Sequence, residues 1–282
     1  MTVREYYYQN FDKLTNDKKF HFATRIKNYF GSHDFDHFFA EYMPSTDLKA
    51  IYDNNDYTKV NRVELRQLFF EKYDHLFAIE AMLFRVMHLL HEYNLDLRED
   101  FIKIVPLDDL YKLADDLLSD DEAIMVLSTW AVNVICLTET LFPRGQNVVK
   151  ILAEKSLNLE VRDPLLSVYL YTHIIICDSE FYVKPVAEKA LAKKMLDKTL
   201  EIVNNHPSQL ILDLQIEFLV CANMVGVDYP AFRQQVAAEC SQILASSPFL
   251  FDTRAPKARQ TFDGAEHTNV LYIMSGLDSA KL

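Results

Sequence analysis

The sequence predicts an all-α protein, built either of stacked helical hairpins resembling HEAT and armadillo superhelices or as a compact multi-helix bundle. Half of the 282 residues are hydrophobic, which provides ample material for a buried core. Apolar residues recur at helical spacing along much of the chain. Proline is favoured in the first turn of a helix, and five prolines stand 21 to 23 residues apart: Pro143, Pro164, Pro185, Pro207 and Pro230.

The N-terminal region contains helices with recognisable ends. The segment from Asn16 to Phe30 starts with polar residues and is followed by Gly31, which is typical of a helix C-terminus. A short helix is predicted from about Asp34 to Met43. Residues 53–60 are rich in Asp and Asn and are predicted to form a loop.

A long central helix is predicted from about Asn61 to Tyr93. Two apolar stripes with seven-residue spacing cover well over half of its circumference: Phe69, Leu76, Leu83 and Leu90, and Phe70, Phe77 and Phe84. A helix that is apolar on most sides is buried by neighbours on both sides. The length of the stretch leaves a break within it open.

After residue 106 the predicted helices alternate between buried and half-exposed. Buried helices start near 121, 164 and 207, and half-exposed ones near 143, 185 and 230, so each series repeats after 42 to 45 residues. The two-helix unit of HEAT and armadillo repeats has about 40–47 residues. A compact bundle accounts for the same spacing, and a closed toroid or a mixed fold is less favoured.

The predicted organisation is a single helical domain over 1–246. Its N-terminal helices and the central helix occupy 1–95, and the repeated helix pairs occupy 106–246. Residues 247–265 are predicted to be a linker because they contain Pro248, Pro256 and Gly264. Residues 266–282 form a short amphipathic element, which either folds back on the core or docks on a partner or a second copy. Homo-oligomerisation therefore stays open.

Composition excludes several classes of function. The net charge of −12 disfavours binding to nucleic acid. Five glycines, none clustered, exclude glycine-rich phosphate loops and dinucleotide fingerprints. The four cysteines lack ligand spacing and are predicted to be buried, reduced thiols. The longest uncharged run, Ala123 to Thr138, is shorter than the roughly 20 residues of a membrane span, so a cytoplasmic protein is expected.

Acidic residues are concentrated in residues 96–122, where ten acids face three bases. Asp108, Asp109, Asp115 and Asp116 are predicted to form a binding surface for a basic protein or peptide. The alternative is a solvated acidic face that only improves solubility.

A candidate metal site lies at His33, Asp34 and His37. On a helix the two histidines would lie one turn apart on one face, as in zinc-binding HExxH, although Asp34 has a shorter reach than glutamate. A polar helix start explains the same residues, since acids are favourable there. On the central helix, Glu71 with His75 and His88 with Glu92 have the spacing of ordinary side-chain pairs.

The sequence therefore favours a non-enzymatic helical-repeat protein that binds a protein partner through an extended, partly acidic surface, with no cofactor. The alternative is a metal-dependent hydrolase-type enzyme in a helical fold, with its site at His33 and His37 or at the histidines of the central helix. An enzyme would have a deep pocket with convergent polar groups, whereas an interaction module would have an open groove.

Overall fold

The computed structural model describes residues 1–54, 64–206 and 209–279, and every regular element in these ranges is helical. The prediction of an all-α fold is confirmed. The described part contains sixteen α-helices: α1 (Val3–Gln9), α2 (Asn16–Phe30), α3 (Asp36–Tyr42), α4 (Leu48–Asp53), α5 (Glu64–Lys72), α6 (Leu76–Tyr93), α7 (Arg98–Ile104), α8 (Leu107–Ser119), α9 (Asp121–Leu127), α10 (Thr129–Leu141), α11 (Val148–Asn158), α12 (Pro164–Asp178), α13 (Lys189–Asn205), α14 (Leu212–Val225), α15 (Pro230–Leu244) and α16 (Glu266–Met274).

The chain divides into two compact units. Unit 1 comprises Met1–Tyr42 and Phe181–Leu282, and unit 2 comprises Met43–Glu180. Unit 1 therefore contains α1 to α3 and α13 to α16, and unit 2 contains α4 to α12. The sequence predicts a single helical domain over 1–246, and local signals do not show this division, because unit 1 joins segments that are distant along the chain.

In unit 1 the last helix, α16, is central. It packs against α1, α2 and α14, and most of its residues are buried. Residues 247–265, the predicted linker, contain no α-helix and one short 3-10 helix, Lys257–Gln260, but they also contribute to the packing of this unit. Leu250 is fully buried, and the Phe262 ring stacks on Tyr7 with ring centroids 4.6 Å apart. The C-terminal element thus folds back on the core.

In unit 2 the apolar helix α10 is central and packs against α6, α8 and α12. The uncharged run expected to form one buried helix is divided between α9 and α10, which are bent by 110° where Ser128 takes a positive φ of 38°. Among the described helices, no single one is long and apolar enough to cross a membrane, and only this bent pair reaches that length and composition.

The predicted central helix is interrupted, and its first residues, 61–63, lie outside the described ranges. Helix α5 ends at Lys72 and α6 begins at Leu76, with His75 in the left-handed region at φ 57°. The Asp74 carboxylate accepts a hydrogen bond from the His75 backbone N–H at 2.9 Å, which helps to hold this turn. The possibility of a break is therefore confirmed.

Some of the evenly spaced prolines stand at the start of a helix, and Pro185 does not. Helices α12 and α15 begin at Pro164 and Pro230, as predicted. Helix α13 begins at Lys189, four residues after Pro185, and residues 180–182 before that proline take positive φ values. Pro207 lies outside the described residues. A regular repeat of helical hairpins stays a prediction.

Candidate functional site

The four acids predicted as a partner surface lie together on α8. Asp108, Asp109, Asp115 and Asp116 are all exposed, and their spacing of seven residues places them along one side of the helix. The opposite side carries the buried residues Leu110, Ala114 and Leu117. We call these four carboxylates the acidic face of α8.

Two members of the acidic face already have cationic neighbours. Asp115 accepts a hydrogen bond from the Arg144 guanidinium at 2.9 Å, and Asp116 pairs with Lys112 at 3.1 Å. Asp108 and Asp109 lie in the first turn of α8, where the helix dipole favours negative charge. The acidic face is thus held in place by local interactions while remaining open to solvent.

Acidic residues continue from α8 into the next helix through Asp120. This residue caps α9 by accepting a hydrogen bond from the Ala123 N–H at 2.9 Å, and it also accepts one from the Tyr73 hydroxyl at 2.7 Å. Partial burial opposes ionisation, but hydrogen bonds from Lys72, Ala123 and Tyr73 lower the pKa of Asp120 to about 2. Asp120 therefore stays ionised at neutral pH.

Beside the start of α9 lies a groove of about 340 Å³, which we call the α9–α12 groove. Its floor is apolar and its rim is charged. The floor is formed by Met125, Val126, Leu159 and Leu166, and the rim by Asp121, Glu122, Glu160, Arg162 and Asp163. The acids stand at the N-terminal turn of α9 and just before α12. Met125 and Val126 follow on α9 and Leu166 lies on α12, whereas Leu159 directly follows α11.

The rim carboxylates differ in how they are held. Asp163 is the N-cap of α12 and accepts a hydrogen bond from the Leu166 N–H at 3.0 Å. Asp121 pairs with Lys155 at 2.7 Å, and the Lys155 ammonium also donates to the Leu118 carbonyl at the end of α8. Lys155 thereby connects the groove to the helix that carries the acidic face.

The structure does not bring the candidate metal ligands together. His33 precedes α3, which begins at Asp36, so the prediction that His33 and His37 lie one turn apart on a helix is wrong. His33 Nδ1 lies 2.8 Å from Asp36 Oδ2, and Asp34 instead accepts a hydrogen bond from the Tyr8 hydroxyl at 2.9 Å. Across the described residues, no group of three His, Cys, Asp or Glu side chains is arranged to hold a metal ion.

The structure also places the candidate pairs of the central helix. Glu71 and His75 do not share a helix, and His88 belongs to the core. Glu71 lies on α5, whereas His75 lies in the break after it and stacks on the Tyr52 ring at 4.4 Å. His88 is buried, with its ring 5.9 Å from that of Phe84.

The four cysteines are free and buried, as predicted. Burial raises the pKa of Cys240 to about 12 and also raises the pKa values of Cys177 and Cys221. A thiol needs a lowered pKa to act as a nucleophile at neutral pH. These three side chains are therefore part of the core rather than reactive groups.

Sequence reasoning missed a polar cluster inside unit 1. His21 on α2, Asp213 and Glu217 on α14, and Glu266 and His267 on α16 lie together, and we call these five residues the histidine cluster. His21 Nδ1 is 2.8 Å from Glu266 Oε1, and His267 Nε2 is 3.6 Å from Asp213 and 3.8 Å from Glu217. No sequence spacing predicts this arrangement, because His21 and His267 are 246 residues apart.

The two histidines of the cluster have opposite pKa shifts. Burial lowers the pKa of His21 to about 3, which keeps its ring neutral. Burial also opposes the charge on His267, but Asp213 and Glu217 outweigh it and raise the pKa of that ring. Burial opposes ionisation of Glu266, but the hydrogen bond from His21 and the charge of Lys18 lower its pKa. The cluster thus pairs buried carboxylates with nearby cations.

A cavity of about 170 Å³ adjoins the histidine cluster. It is lined by Lys18, Ile211, Asp213, Asp252, Ala255, Arg259, Gly264, His267 and Thr268. Its acids are already engaged, since Asp213 accepts a hydrogen bond from Thr268 at 2.8 Å and Asp252 accepts one from the Leu212 N–H. This internal pairing favours a role in holding α2, α14 and α16 together.

Comparison of the chain with protein-family models, with curated proteins and with solved structures finds no match. The acidic face of α8 and the α9–α12 groove are both open to a partner.

Proposed function

We propose that this protein is a non-enzymatic interaction module that binds a basic segment of a partner protein through unit 2. The observation that carries the proposal is the row of exposed carboxylates on one side of α8, connected through Lys155 to the rim of the α9–α12 groove. An exposed acidic surface attracts cationic segments and accelerates their association.

The internal ion pairs of the acidic face do not prevent such binding. Exposed pairs such as Asp116 with Lys112 contribute about 0–1 kcal/mol each, so a partner's lysine or arginine can compete for the carboxylate. Asp108 and Asp109 stand in the first turn of α8, where charge is stabilised by the helix rather than by a second side chain.

The metal-dependent alternative lacks comparable support. Its candidate ligands His33, Asp34 and His37 are all exposed and engage different neighbours. The second polar cluster, around His267, is occupied by contacts among its own members. A binding role accordingly takes precedence over a catalytic one.

Charge reversal tests the proposal. The probe is a short fluorescent peptide of Lys, Gly and Ser, and its Kd is measured by anisotropy at two salt concentrations. The variant carries Asp108→Lys, Asp109→Lys, Asp115→Lys and Asp116→Lys. We expect it to bind at least about tenfold more weakly, and the wild-type affinity to fall with salt because exposed charges are screened.

The matched control reverses four exposed acids of unit 1, Asp12, Glu41, Glu201 and Asp228, to lysine. It changes the net charge of the protein by the same amount. The control is expected to retain most of the affinity. Equal losses in both variants would mean that net charge alone attracts the peptide, and the proposed surface would be rejected.

A further inference from the structure

The α9–α12 groove differs from the acidic face of α8 by its apolar floor. Val126 and Leu166 are nearly buried, whereas Met125 and Leu159 are half-buried and offer apolar surface to an incoming side chain. The backbone carbonyl of Val126 accepts a hydrogen bond from Arg66 Nε at 3.0 Å, which helps to hold this part of the floor in place. The groove is therefore a formed concavity in which apolar area remains available.

The rim limits which partners can occupy this concavity. Four carboxylates, those of Asp121, Glu122, Glu160 and Asp163, stand around the floor with only one guanidinium, that of Arg162, among the lining residues. The Arg162 guanidinium lies 3.9 Å from the Glu160 carboxylate. The Lys155 ammonium pairs with Asp121 and partly neutralises its charge. Negative charge still predominates, so an apolar group flanked by cations matches the groove better than a neutral or an acidic one.

The size of the groove suits a side chain rather than an extended surface. Its volume of about 340 Å³ lies at the lower end of the roughly 300–1,000 Å³ typical of ligand pockets. Peptide recognition commonly combines such a pocket for one or two anchor residues with charged contacts at its edge.

From this geometry we propose that the α9–α12 groove binds an apolar anchor, a leucine, methionine or phenylalanine side chain, of a basic peptide segment. Lysine or arginine residues next to the anchor lie against Glu122, Glu160 and Asp163. The inference rests on the proposed function and adds to it the type of segment that is recognised.

Two peptides test the inference. They share the same Lys, Gly and Ser composition, but one has a central pair of leucines where the other has serines. Binding is measured by fluorescence anisotropy with the full-length protein. We expect the leucine peptide to bind at least about tenfold more tightly, because burying a leucine side chain removes apolar surface from water.

Substitutions in the floor test whether the groove causes the difference in affinity between the two peptides. In a Met125→Gln and Leu159→Gln variant the advantage of the leucine peptide should disappear, while binding of the serine peptide stays unchanged. The matched control is Ile102→Gln, which replaces an exposed apolar residue of α7 in the same unit. Far-ultraviolet circular dichroism checks folding, and Leu159→Ser alone replaces the double variant if that one unfolds.

The possible outcomes separate the two proposals. Equal affinities for the two peptides, or a leucine advantage that survives in the groove variant, would overturn the anchor while leaving charge-dependent binding intact. Insensitivity of the serine peptide to the charge reversal on α8 would instead overturn the proposed function. Self-association of the native protein in sedimentation experiments, abolished by the groove variant, would identify a second copy as the occupant and overturn the inference.

Discussion

His267 Nδ1 lies 3.3 Å from His21 Nε2, so the first and last thirds of the chain meet at a contact between two imidazoles. On their outer sides, His21 faces Glu266, and His267 faces Asp213 and Glu217. A consistent proton arrangement has His21 neutral, donating from Nδ1 to Glu266 and accepting at Nε2 from a protonated His267. This row of groups joins α2, α14 and α16.

Acidification should loosen unit 1 through His21. The pKa of this ring falls from 6.5 to about 3 on folding, so the unfolded chain binds the proton more readily and stability is lost as the pH falls from 6.5 towards 3. At about pH 5 the loss from this residue is at most roughly 2 kcal/mol, because pH 5 lies about 1.5 units below 6.5 and each unit corresponds to about 1.4 kcal/mol. Hydrogen exchange of the α16 amides at about pH 6.5 and pH 5 measures the effect.

The control for this prediction is His21→Asn, which has no titrating ring. It should make α16 exchange less dependent on pH over the same interval. An unchanged pH dependence would show that another group, such as Glu266, dominates the acid response.

Raising the pH should weaken the same unit through His267. Its pKa is raised in the folded state, so its contribution to stability is present in full below 6.5 and is lost as the pH rises through the folded value. Without the proton, Asp213, Glu217 and Glu266 lose one of their cationic neighbours. Proton NMR titration of the two imidazoles measures both pKa values directly, and a His267 pKa below that of His21 would contradict the prediction.

Gly264 should be intolerant of any side chain. A Cβ atom at this position would stand 1.8 Å from the Ala258 carbonyl oxygen, well inside van der Waals contact, and the clash is with backbone. We expect Gly264→Ala to destabilise unit 1 by roughly 1–3 kcal/mol or more, as in other overpacked sites. Urea unfolding provides the measurement.

Gly31→Ala is the comparison for that variant. Gly31 ends α2 at φ 65°, and nothing lies near its missing Cβ, so only the backbone preference is lost, about 1 kcal/mol. If Gly264→Ala costs no more than Gly31→Ala, the close approach to Ala258 is easily relieved.

Asp163 should have separable roles in stability and in binding. It caps α12 and also contributes a charge to the rim of the α9–α12 groove. Asp163→Ser keeps a capping oxygen without the charge, whereas Asp163→Ala removes both and should cost about 1 kcal/mol of stability. Both variants are expected to bind the leucine peptide more weakly and to equal degree. Thermal melts measure the effect on stability, and anisotropy measures the effect on peptide binding. If only Asp163→Ala weakens peptide binding, the charge of Asp163 does not contribute to it.

Several features of this protein could be predicted from local sequence signals. Gly31 ends α2 because a residue without Cβ takes the left-handed conformation there, and Pro164 and Pro230 begin α12 and α15. Asp108, Asp109, Asp115 and Asp116, which the sequence predicts as one acidic surface, all lie on α8. Such signals act within one or two turns of a helix, so they can be seen in the sequence alone.

Other predictions failed where neighbouring elements compete with local preference. His33 and His37 have helical spacing, but α3 begins only at Asp36, whose carboxylate is held by His33 and by Lys27. The uncharged run around Ser128 is apolar enough for one helix, yet the chain bends there, and α9 packs against α5 whereas α10 packs against α6. Packing within each unit decided these boundaries.

The sequence by itself determined the all-α class, the ends of several helices and the acidic face of α8, because hydrogen bonds and side-chain contacts within a helix depend on residues a few positions apart. Only the tertiary structure decided the histidine cluster and the α9–α12 groove. The cluster joins residues up to 246 positions apart, and the groove forms where α9 meets the start of α12. Such contacts depend on which apolar helix faces pack against each other, and the spacing of residues along the sequence does not show this.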